Sequence, residues 1–371
     1  MNKVFTAIGL MSGTSCDGVD ASIIQSDGED QLELIKNHYI PYDNETKNEI
    51  INIKRKINDS KDLKENSKIL SSLEKKITLI QIKAVKQIID ISKYKHENID
   101  LIGFHGQTVY HSFKEKISKQ LADANMMYKE TKIKVVFNFR ELDMQKGGQG
   151  APLSPIYHKA ISKKLKINKP IAFINIGGIS NITFIDNNII QKSFDCGAGN
   201  FLIDQFLKIH SNNKIDFDKN GEIAFKGTVN EIILENYLNN NFFDLIPPKT
   251  LDVNDFSISM IRGLSLEDSI STLSEFTART IVDSFKFLKK NPTQIILTGG
   301  GRKNDFILNR IKQLSKIKTV DIDSLKIDGD FVESQAFAYI AIRSLLNKPI
   351  SFFETTGVKE KCVGGNIINS I

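Results

Sequence analysis

The chain has 371 residues, more than the roughly 250 to 300 that one hydrophobic core usually serves, so we expect two lobes. Hydrophobic residues make up 40% of the chain and charged residues 25%, a composition that excludes a disordered or fibrous protein. The net charge of +6 comes from lysines scattered among acids, and the absence of a clustered basic stripe argues against a nucleic-acid partner.

Cysteine spacing and hydropathy bear on the compartment. Cys16, Cys196 and Cys362 are too widely separated for a disulfide framework or for the paired spacing of a zinc site. The apolar run before Cys16 is short, and Gly13 stands where a lipoprotein signal would need leucine. No segment has the roughly 18 apolar residues of a membrane helix. We therefore expect a cytoplasmic protein without a membrane partner.

The first half of the chain reads as a meander of three strands followed by helices and two buried strands. Alternating and β-branched residues predict the strands, and apolar residues at helical spacing predict two helices within 45–93. The predicted strands are Val4–Leu10, Val19–Gln25 and Leu32–Ile40, with an elbow at Met11–Gly18, and then IDLIGFHGQT (99–108) and KIKVVFNF (132–139).

A second meander begins after Pro170 and repeats this order of elements. Two halves of the same order predict α/β lobes with a cleft between them. The predicted first lobe is 1–135 plus a C-terminal helix at about 345–371, and the second is 136–344. The later predicted elements are helices at Asn200–His210, Asn230–Asn240 and Leu266–Lys290, the strand TQIILTGGG (293–301), and a helix at 304–314.

Six Gly-rich turns follow predicted strands. Glycine lets backbone N–H groups approach an oxyanion, and hydroxyl and amide side chains add donors, so the turns suit phosphate. A single such turn is usually only a hairpin, but six at strand ends favour phosphate binding. Neither a P-loop nor a Rossmann fingerprint is present. The turns are SGTSCDG (12–18), FHGQT (104–108), GGQGAP (147–152), NIGGISN (175–181), FDCGAGN (194–200) and LTGGGRKN (297–304).

The first turn also carries Asp17 and Asp20. These carboxylates could hold a metal-bound water beside a triphosphate, which Mg²⁺ normally accompanies. Alternatively, they are hairpin aspartates that satisfy the backbone of the turn.

A larger set of motifs resembles one known family. The repeated phosphate hairpins and the late TGGG look like the superfamily of sugar kinases, actin and the large heat-shock chaperones. More closely, the chain resembles the anhydro-N-acetylmuramic acid kinase family over residues 9–341. The motifs that carry this resemblance, in order, are GLMSGTSCDGVD, GFHGQTVYH, FRELDMQKGGQGAPL, INIGGISNIT, SFDCGAGNFLID, PPK, TGGGRKN and ESQAFAYIA.

The resemblance implies an activity and a fold. Enzymes of this family cleave the 1,6-anhydro bridge of the sugar with water and phosphorylate the freed O6 from ATP, in cell-wall recycling. The fold implied is two actin-like, ribonuclease H-like lobes, each a mixed five-stranded sheet with flanking helices, which bind ATP and sugar in the interlobe cleft. ATP, Mg²⁺ and a homodimer are expected. The ATP-binding residues implied are Gly13, Thr14, Ser15, Cys16, Asp17, Gly18, Val19, Asp20, Gly177, Gly178, Gly299, Gly300, Gly301 and Asn304, with Asp17 also holding the metal through water.

The same resemblance implies that Asp195 is the base that deprotonates the attacking water. Its alternative is a helix N-cap, because the residues after it are helical. The sugar is implied to contact His105, Arg140, Gln149 and Glu333. His105 could instead be a satisfied histidine at a strand end, and Glu333 an acid favoured by the helix dipole. Lys249 is either a phosphate partner or an exposed loop lysine.

The chain departs from the family pattern at a few positions. Asn138 replaces Asp, Ala198 replaces Pro, Leu251 replaces Gly, and the usual Gly and Pro around 122–125 are missing. These departures concern sugar affinity and loop geometry more than chemistry. The alternatives left open are another sugar or carboxylate kinase of this fold, an actin-like ATPase switch, and a pseudo-enzyme.

Overall fold

The computed structural model describes residues 3–13, 15–167, 169–251 and 255–370. The chain folds into two compact units, of which the first is built from two separate segments of the sequence and the second from one continuous segment. Unit 1 comprises Met1–Ile167 and Phe331–Ile371, and unit 2 comprises Asn168–Asp330.

The described residues form twelve strands and twelve α-helices. The strands are β1 Phe5–Ser12, β2 Gly18–Ser26, β3 Leu32–Pro41, β4 Leu101–Ser112, β5 Ile117–Leu121, β6 Lys134–Phe137, β7 Ile171–Ile176, β8 Ile179–Asp186, β9 Ile189–Ala198, β10 Gln294–Thr298, β11 Lys318–Asp321 and β12 Asn366–Ile368. The helices are α1 Asn44–Lys56, α2 Ser60–Glu65, α3 Ser67–Asp90, α4 Ala124–Thr131, α5 Glu141–Gln145, α6 Pro155–Lys164, α7 Phe201–His210, α8 Glu231–Leu238, α9 Leu266–Asp283, α10 Asp305–Ser315, α11 Val332–Leu345 and α12 Phe353–Thr356.

The two sheets share one strand order. In unit 1 the order is β12-β6-β4-β1-β2-β3, and in unit 2 it is β11-β10-β7-β8-β9. In each, three antiparallel strands of a meander are followed by two parallel strands, β4 and β6 or β10 and β11. This confirms the predicted α/β class and the repeat of one lobe topology.

The sheet of unit 1 has seven strands where five were predicted, whereas the sheet of unit 2 has the predicted five. The two additional strands are short. β5 pairs with the polar outer end of β4, and β12 pairs antiparallel with β6. Neither carries the run of alternating apolar residues on which strand prediction depends.

Three helices, not two, fill residues 44–90. Asp43 accepts the Thr46 N–H and begins α1, while Asp59 begins α2 with a capping box. The longest of them, α3, buries an apolar stripe that includes Leu73, Ile77 and Val85 against the sheet of unit 1. That stripe supplies much of the core of this unit.

The C-terminal part of the chain differs from its prediction. No helix covers the described part of 345–371, because α11 already ends at Leu345 and the chain then forms the short α12 and the strand β12. Pro349 and Gly357, which has φ +75°, interrupt any longer helix. Helix α11 packs against β1, β2 and β4. The unit boundaries therefore lie at 167/168 and 330/331, whereas the sequence prediction placed them at 135/136 and 344/345.

None of the helices in the described part of the chain has the length and apolar character needed to cross a bilayer.

Candidate active site

The turn between β1 and β2, residues 13–17, is held by hydrogen bonds to two of its carbonyl oxygens. The carbonyl oxygen of Gly13 accepts hydrogen bonds from Gln107 Nε2 at 3.0 Å and from the Cys16 N–H at 3.3 Å. The carbonyl oxygen of Asp17 accepts from the Tyr42 N–H at 2.8 Å and from the Tyr39 hydroxyl at 2.9 Å. These contacts fix the backbone of the turn at Gly13 and Asp17.

Side chains of this turn divide into exposed and buried sets. Ser15 and Asp17 are exposed, and the Ser15 hydroxyl donates to Asp17 Oδ1 at 2.8 Å. Cys16, with φ +55°, points inward, where Lys54 Nζ lies 3.7 Å from its Sγ. Val19 is fully buried. Any ligand of the turn would therefore meet the backbone, Ser15 and Asp17, whereas Thr14 lies outside the described residues.

The glycines at the two ends of this turn, Gly13 and Gly18, differ in how closely their surroundings pack. A Cβ on Gly18 would lie 2.4 Å from the Ile40 carbonyl oxygen and 2.5 Å from the Tyr39 ring, so Gly18 permits close packing on β3. Among the described residues beyond its two chain neighbours, the atom nearest to a Cβ on Gly13 would be Ser15 Oγ, at the ordinary contact distance of 3.7 Å. Of these two glycines, only Gly13 has room for a methyl group without a clash.

The corresponding turn of unit 2, Gly177 and Gly178, is tied to the start of α7. The Gly177 carbonyl oxygen accepts from the Asn200 N–H at 2.8 Å, and that of Gly178 accepts from the N–H groups of Gly199 and Phe201 at 2.9 and 3.2 Å. This turn sits at the same position in its sheet as the turn of unit 1, between the first two strands of the meander.

The Gly-rich turn after β10 packs on the end of β7. A Cβ on Gly301 would lie 2.3 Å from Ile176 Cγ2, whereas Gly300 has open space around it. The following Arg302 is 2% exposed and donates to the Gly299 carbonyl at 3.1 Å and to carboxylates of Asp323 and Asp330 at 2.7 Å. Sequence reasoning missed this buried arginine.

Asn304 also has a structural role in this turn. Its side chain accepts the Ile307 N–H at 3.1 Å and caps α10. Its predicted contact with ATP would have to coexist with this cap.

Asp195 lies near the end of β9, opposite Asn181 of β8. The carboxylate accepts the Leu251 N–H at Oδ2, at 2.9 Å, and does not cap the helix that follows. Although part of its surface is accessible, the carboxyl is densely surrounded by protein atoms. This burial raises the pKa of Asp195 to about 7, against the lowering effects of the Leu251 N–H and the Lys249 charge. Such a carboxylate can accept a proton near neutral pH.

Lys249 is not an exposed loop lysine. Only 4% of it is accessible, and its Nζ donates to the Phe242 carbonyl oxygen at 2.9 Å. Burial lowers the pKa of Lys249 to about 8. A buried ammonium in this position is not free to reach a phosphate from the surface.

In unit 1, His105 and Arg140 are in direct contact. His105 lies in β4 and is 3% exposed, and its Nε2 faces Arg140 Nε and Nη2 at 3.1 and 3.0 Å. Burial and then the charge of Arg140 hold the pKa of His105 well below its usual range. Burial lowers the pKa of Arg140 to about 10, against the charges of Glu333 and Asp143, so the guanidinium stays charged at neutral pH.

A buried aspartate that the sequence did not single out organises this region. Asp143 is 1% exposed and accepts the Gly150 N–H at 2.8 Å and the hydroxyls of Ser351 and Thr356 at 2.6 Å. The Gly150 carbonyl in turn accepts Arg140 Nη1 at 2.7 Å. Asp143 thus fixes the loop that holds the guanidinium of Arg140.

The other two predicted sugar residues lie close to this network. The Gln149 N–H donates to the Thr356 carbonyl oxygen at 2.8 Å, next to Gly150 in the same loop. Glu333 is in the first turn of α11, and its charge acts on Arg140. The structure therefore places all four predicted sugar residues in unit 1 and Asp195 in unit 2.

Comparison with known proteins identifies the family. The family model described as anhydro-N-acetylmuramic acid kinase matches residues 5–370. The chain belongs to the anhydro-N-acetylmuramic acid kinase family. It is 46% identical to the protein of that name from Pelagibacter ubique (strain HTCC1062), over 100% of both chains. It is 38% identical to the one from Zymomonas mobilis subsp. mobilis, covering 97% of this chain and 99% of the relative.

Similarity to solved structures is lower. The activator of the 2-hydroxyisocaproyl-CoA dehydratase from Clostridium difficile, with bound ADPNP, aligns with a TM-score of 0.47 at 10% identity, covering 92% of this chain and 96% of that chain. A ROK family glucokinase from Streptomyces griseus, in complex with glucose and AMPPNP, has a TM-score of 0.42, covering 90% of this chain and 98% of that one. TM-scores this low do not support any inference about the function of this chain.

The structure accommodates two of the departures from the anhydro-N-acetylmuramic acid kinase pattern, Asn138 and Leu251. Asn138 has φ +58°, a conformation that asparagine tolerates better than most residues, and its side chain donates to Glu141. Leu251 replaces glycine, yet the bond to Asp195 uses its backbone N–H, which every residue but proline supplies. Neither departure removes a polar contact of the predicted base.

For Mg²⁺, the structure offers exposed oxygen rather than a preformed cage. The described residues contain no group of three or more His, Cys, Asp or Glu side chains placed to bind a metal ion. The exposed carboxylate of Asp17, beside the Ser15 hydroxyl, is the donor type that fits a cation held mainly by water and phosphate oxygens.

Proposed function

We propose that this protein is an ATP-dependent kinase that opens 1,6-anhydro-N-acetylmuramic acid with water and phosphorylates O6. The products are N-acetylmuramic acid 6-phosphate and ADP, and the role is cell-wall recycling. The observation that carries the proposal is Asp195, a hydrogen-bonded carboxyl at a strand end whose pKa burial raises to about 7. Membership of the family supports the choice of substrate.

In the proposed reaction, Asp195 takes a proton from a water molecule whose oxygen forms a bond to C1. The C1–O6 bond breaks, and O6 forms a bond to the γ-phosphorus of ATP as the bond to the ADP oxygen breaks. Asp195 then returns its proton to solvent. Arg140, held by His105 and the Gly150 carbonyl, is proposed to contact the sugar together with His105, Gln149 and Glu333.

The Gly-rich turns are proposed to bind the nucleotide. In unit 1, the proposed contacts are the backbone at Gly13 and the exposed side chains of Ser15 and Asp17. Mg²⁺, held through water by Asp17, would neutralise charge on the phosphate oxygens. In unit 2, the open position at Gly300 and the turn at Gly177 and Gly178 are the proposed contacts.

The remaining parts of the proposal concern assembly and location. We propose a cytoplasmic homodimer whose partner in the reaction is a small sugar, with neither nucleic acid nor membrane involved. The +6 charge is spread over the chain, in keeping with this assignment.

The experiment is incubation of the purified protein with ATP, Mg²⁺ and 1,6-anhydro-N-acetylmuramic acid in ¹⁸O-labelled water, followed by mass spectrometry of the sugar. One ¹⁸O in the sugar phosphate is expected, because water supplies the new oxygen at C1. A phosphorylated sugar without ¹⁸O would indicate a kinase that uses a free hydroxyl. ADP release that does not depend on the sugar would favour an ATPase switch.

A further inference from the structure

Lys249 combines burial with an unusual set of partners. Its ammonium donates to the Phe242 carbonyl oxygen and lies over two aromatic rings, 4.4 Å from the centroid of Phe242 and 4.6 Å from that of Phe287. Among the described residues, no carboxylate forms an ion pair with it. Burying the charge of a lysine costs free energy unless partners satisfy it. The carbonyl oxygen and the two rings are such partners, and keeping contact with all of them restricts the Lys249 side chain to few conformations.

The backbone after this lysine contacts the predicted base twice. The Asp195 N–H donates to the Lys249 carbonyl oxygen at 3.0 Å, and the Leu251 N–H donates to Asp195 Oδ2 at 2.9 Å. Residues 249–251 therefore hold both the main chain and the carboxylate of Asp195. We call them the clamp segment.

We propose that Lys249 is a positioning residue whose buried side chain anchors the clamp segment and so aims the Leu251 N–H at Asp195. The inference rests on the proposed function of Asp195 as the base, and it assigns Lys249 no contact with substrate. Along β9, Phe194 and Cys196 face the core on the side opposite to Asp195, and Phe287 lies 5.8 Å from Phe194, ring to ring. The Lys249 ammonium is thus on the core side, and besides the effect of its charge it acts on the carboxylate through the backbone of the clamp segment.

Charged and titratable groups around the anchor come from three elements. Lys249 is influenced by Cys196 and Asp195 of β9, by Asp244, and by Lys286 next to Phe287. Asp244 and Lys286 lie 3.9 Å apart and are both well exposed. Asp195 itself is influenced by the Leu251 N–H and by the Lys249 charge, and both favour its ionised form.

The test substitutes the anchor without shortening it. Lys249→Met retains the apolar stem and removes the charge and the bond to the Phe242 carbonyl oxygen. The matched control is Lys286→Met, which removes the same charge from the same ring, Lys286 Nζ being 5.1 Å from the Phe287 centroid, without touching the clamp segment. Two readouts are measured for each protein: the acidic limb of kcat/KM against pH, and the ¹³C carboxyl titration of Asp195, assigned by its loss in Asp195→Asn.

In Lys249→Met, both readouts should move to higher pH by about 1 pH unit, because the carboxylate loses both the Leu251 hydrogen bond and the nearby Lys249 charge, which favour its ionised form. In Lys286→Met they should stay in place. A Lys249→Met protein that has a lower Tm but unchanged titration of Asp195 would overturn the proposal, because Lys249 would then be only a structural residue.

The test also distinguishes failure of the proposed activity from failure of the proposed role of Lys249. Wild-type protein without activity on the anhydro sugar would contradict the proposed function, while the ¹³C titration would still decide whether Lys249 positions Asp195. Where Lys249→Met does not fold, the wild type provides the decisive measurement. The backbone ¹⁵N–¹H resonance of Leu251 must titrate together with the Asp195 carboxyl, and its independence of that titration overturns the clamp.

Discussion

Arg140 donates from both Nε and Nη2 to a single atom of His105, the ring nitrogen Nε2, at 3.1 and 3.0 Å. Because a guanidinium has no acceptor, Nε2 must carry the lone pair. The ring proton is therefore on Nδ1, which lies 2.9 Å from the Gly106 carbonyl oxygen. A neutral His105 of this tautomer accepts both hydrogen bonds and so orients the guanidinium, and it adds no positive charge that would repel Arg140.

Replacement of this arginine tests its proposed contact with the sugar. Arg140→Lys cannot bond the Gly150 carbonyl and His105 at once, because an ammonium lacks the planar fork. We expect the KM for the anhydro sugar to rise about 10-fold, the effect of losing one bond to a charged group, with little change in the KM for ATP. Steady-state kinetics with each substrate varied in turn measures this, with the exposed Arg262→Lys as the control. A rise in the KM for ATP alone would contradict the assignment.

The carboxylate beneath this site can be tested through stability. Asp143→Asn keeps the size of the side chain but replaces an acceptor of three hydrogen bonds with an amide. We expect the free energy of unfolding to fall by about 2 kcal/mol, since buried donors lose a charged partner. Urea denaturation measures the change. Glu141→Gln, in the same first turn of α5 but exposed, should change stability by less than about 0.5 kcal/mol.

Glu141 and Asp143 show that the burial of an acidic side chain cannot be predicted from the local sequence. Both are acids of one short helix, and no pattern of neighbours distinguishes the exposed one from the buried one. The partners of Asp143 at Ser351 and Thr356 are more than 200 residues away in sequence. Lys249 was equally unpredictable, because lysines are almost never fully buried. Such roles depend on tertiary contacts that a local pattern does not contain.

Features that depend on local pattern were predicted well. The alternation of apolar residues indicated the hairpins β1–β2 and β7–β8, and the structure confirms both with the turn residues at their tips. The three-residue strand β12 was missed, since pairing with β6 rather than its own sequence makes it a strand. The roles of the predicted ATP and sugar residues stay predictions.

A buried histidine outside the proposed site makes stability depend on pH. His158 is 1% exposed, and burial lowers its pKa to about 3, from an ordinary value near 6.5. Below pH 6.5 the unfolded chain binds a proton at this position and the folded protein does not, so the free energy of unfolding falls as the pH is lowered. Between pH 7.5 and 5.5 this one group should cost about 1.4 kcal/mol.

The measurement compares urea denaturation of wild type and His158→Gln at both pH values. The difference in unfolding free energy between the two proteins should change by that amount, because every other titrating group cancels. An equal pH dependence in wild type and His158→Gln would contradict a neutral buried imidazole.

The proposed base is tested by removal of its charge. Asp195→Asn should lower kcat by about 10³-fold, within the range for loss of a general base, and leave the Kd for ATP nearly unchanged. Calorimetric titration with a non-hydrolysable ATP analogue measures the second quantity. Asp186→Asn, at a carboxylate of the neighbouring strand β8 that pairs with Lys290, is the control and should keep its activity. Retained turnover in Asp195→Asn would remove Asp195 from the role of base.

Gly13 and Gly18 provide a matched pair that separates binding from packing. In Gly18→Ala the new methyl group would lie 2.4 Å from the Ile40 carbonyl oxygen, so β2 and β3 must shift, and we expect a loss of about 2 kcal/mol in unfolding free energy. In Gly13→Ala, beyond the two chain neighbours, the described atom nearest to the methyl group would be Ser15 Oγ at 3.7 Å, an ordinary contact, so stability should change by less than about 0.5 kcal/mol. The same methyl group would project from the turn against which the phosphates are proposed to lie. Gly13→Ala should therefore weaken ATP binding about 10-fold, by the loss of roughly one charge-assisted hydrogen bond. Calorimetry and urea denaturation of both variants decide the matter: unchanged ATP affinity in a stable Gly13→Ala protein would mean that the phosphates bind elsewhere.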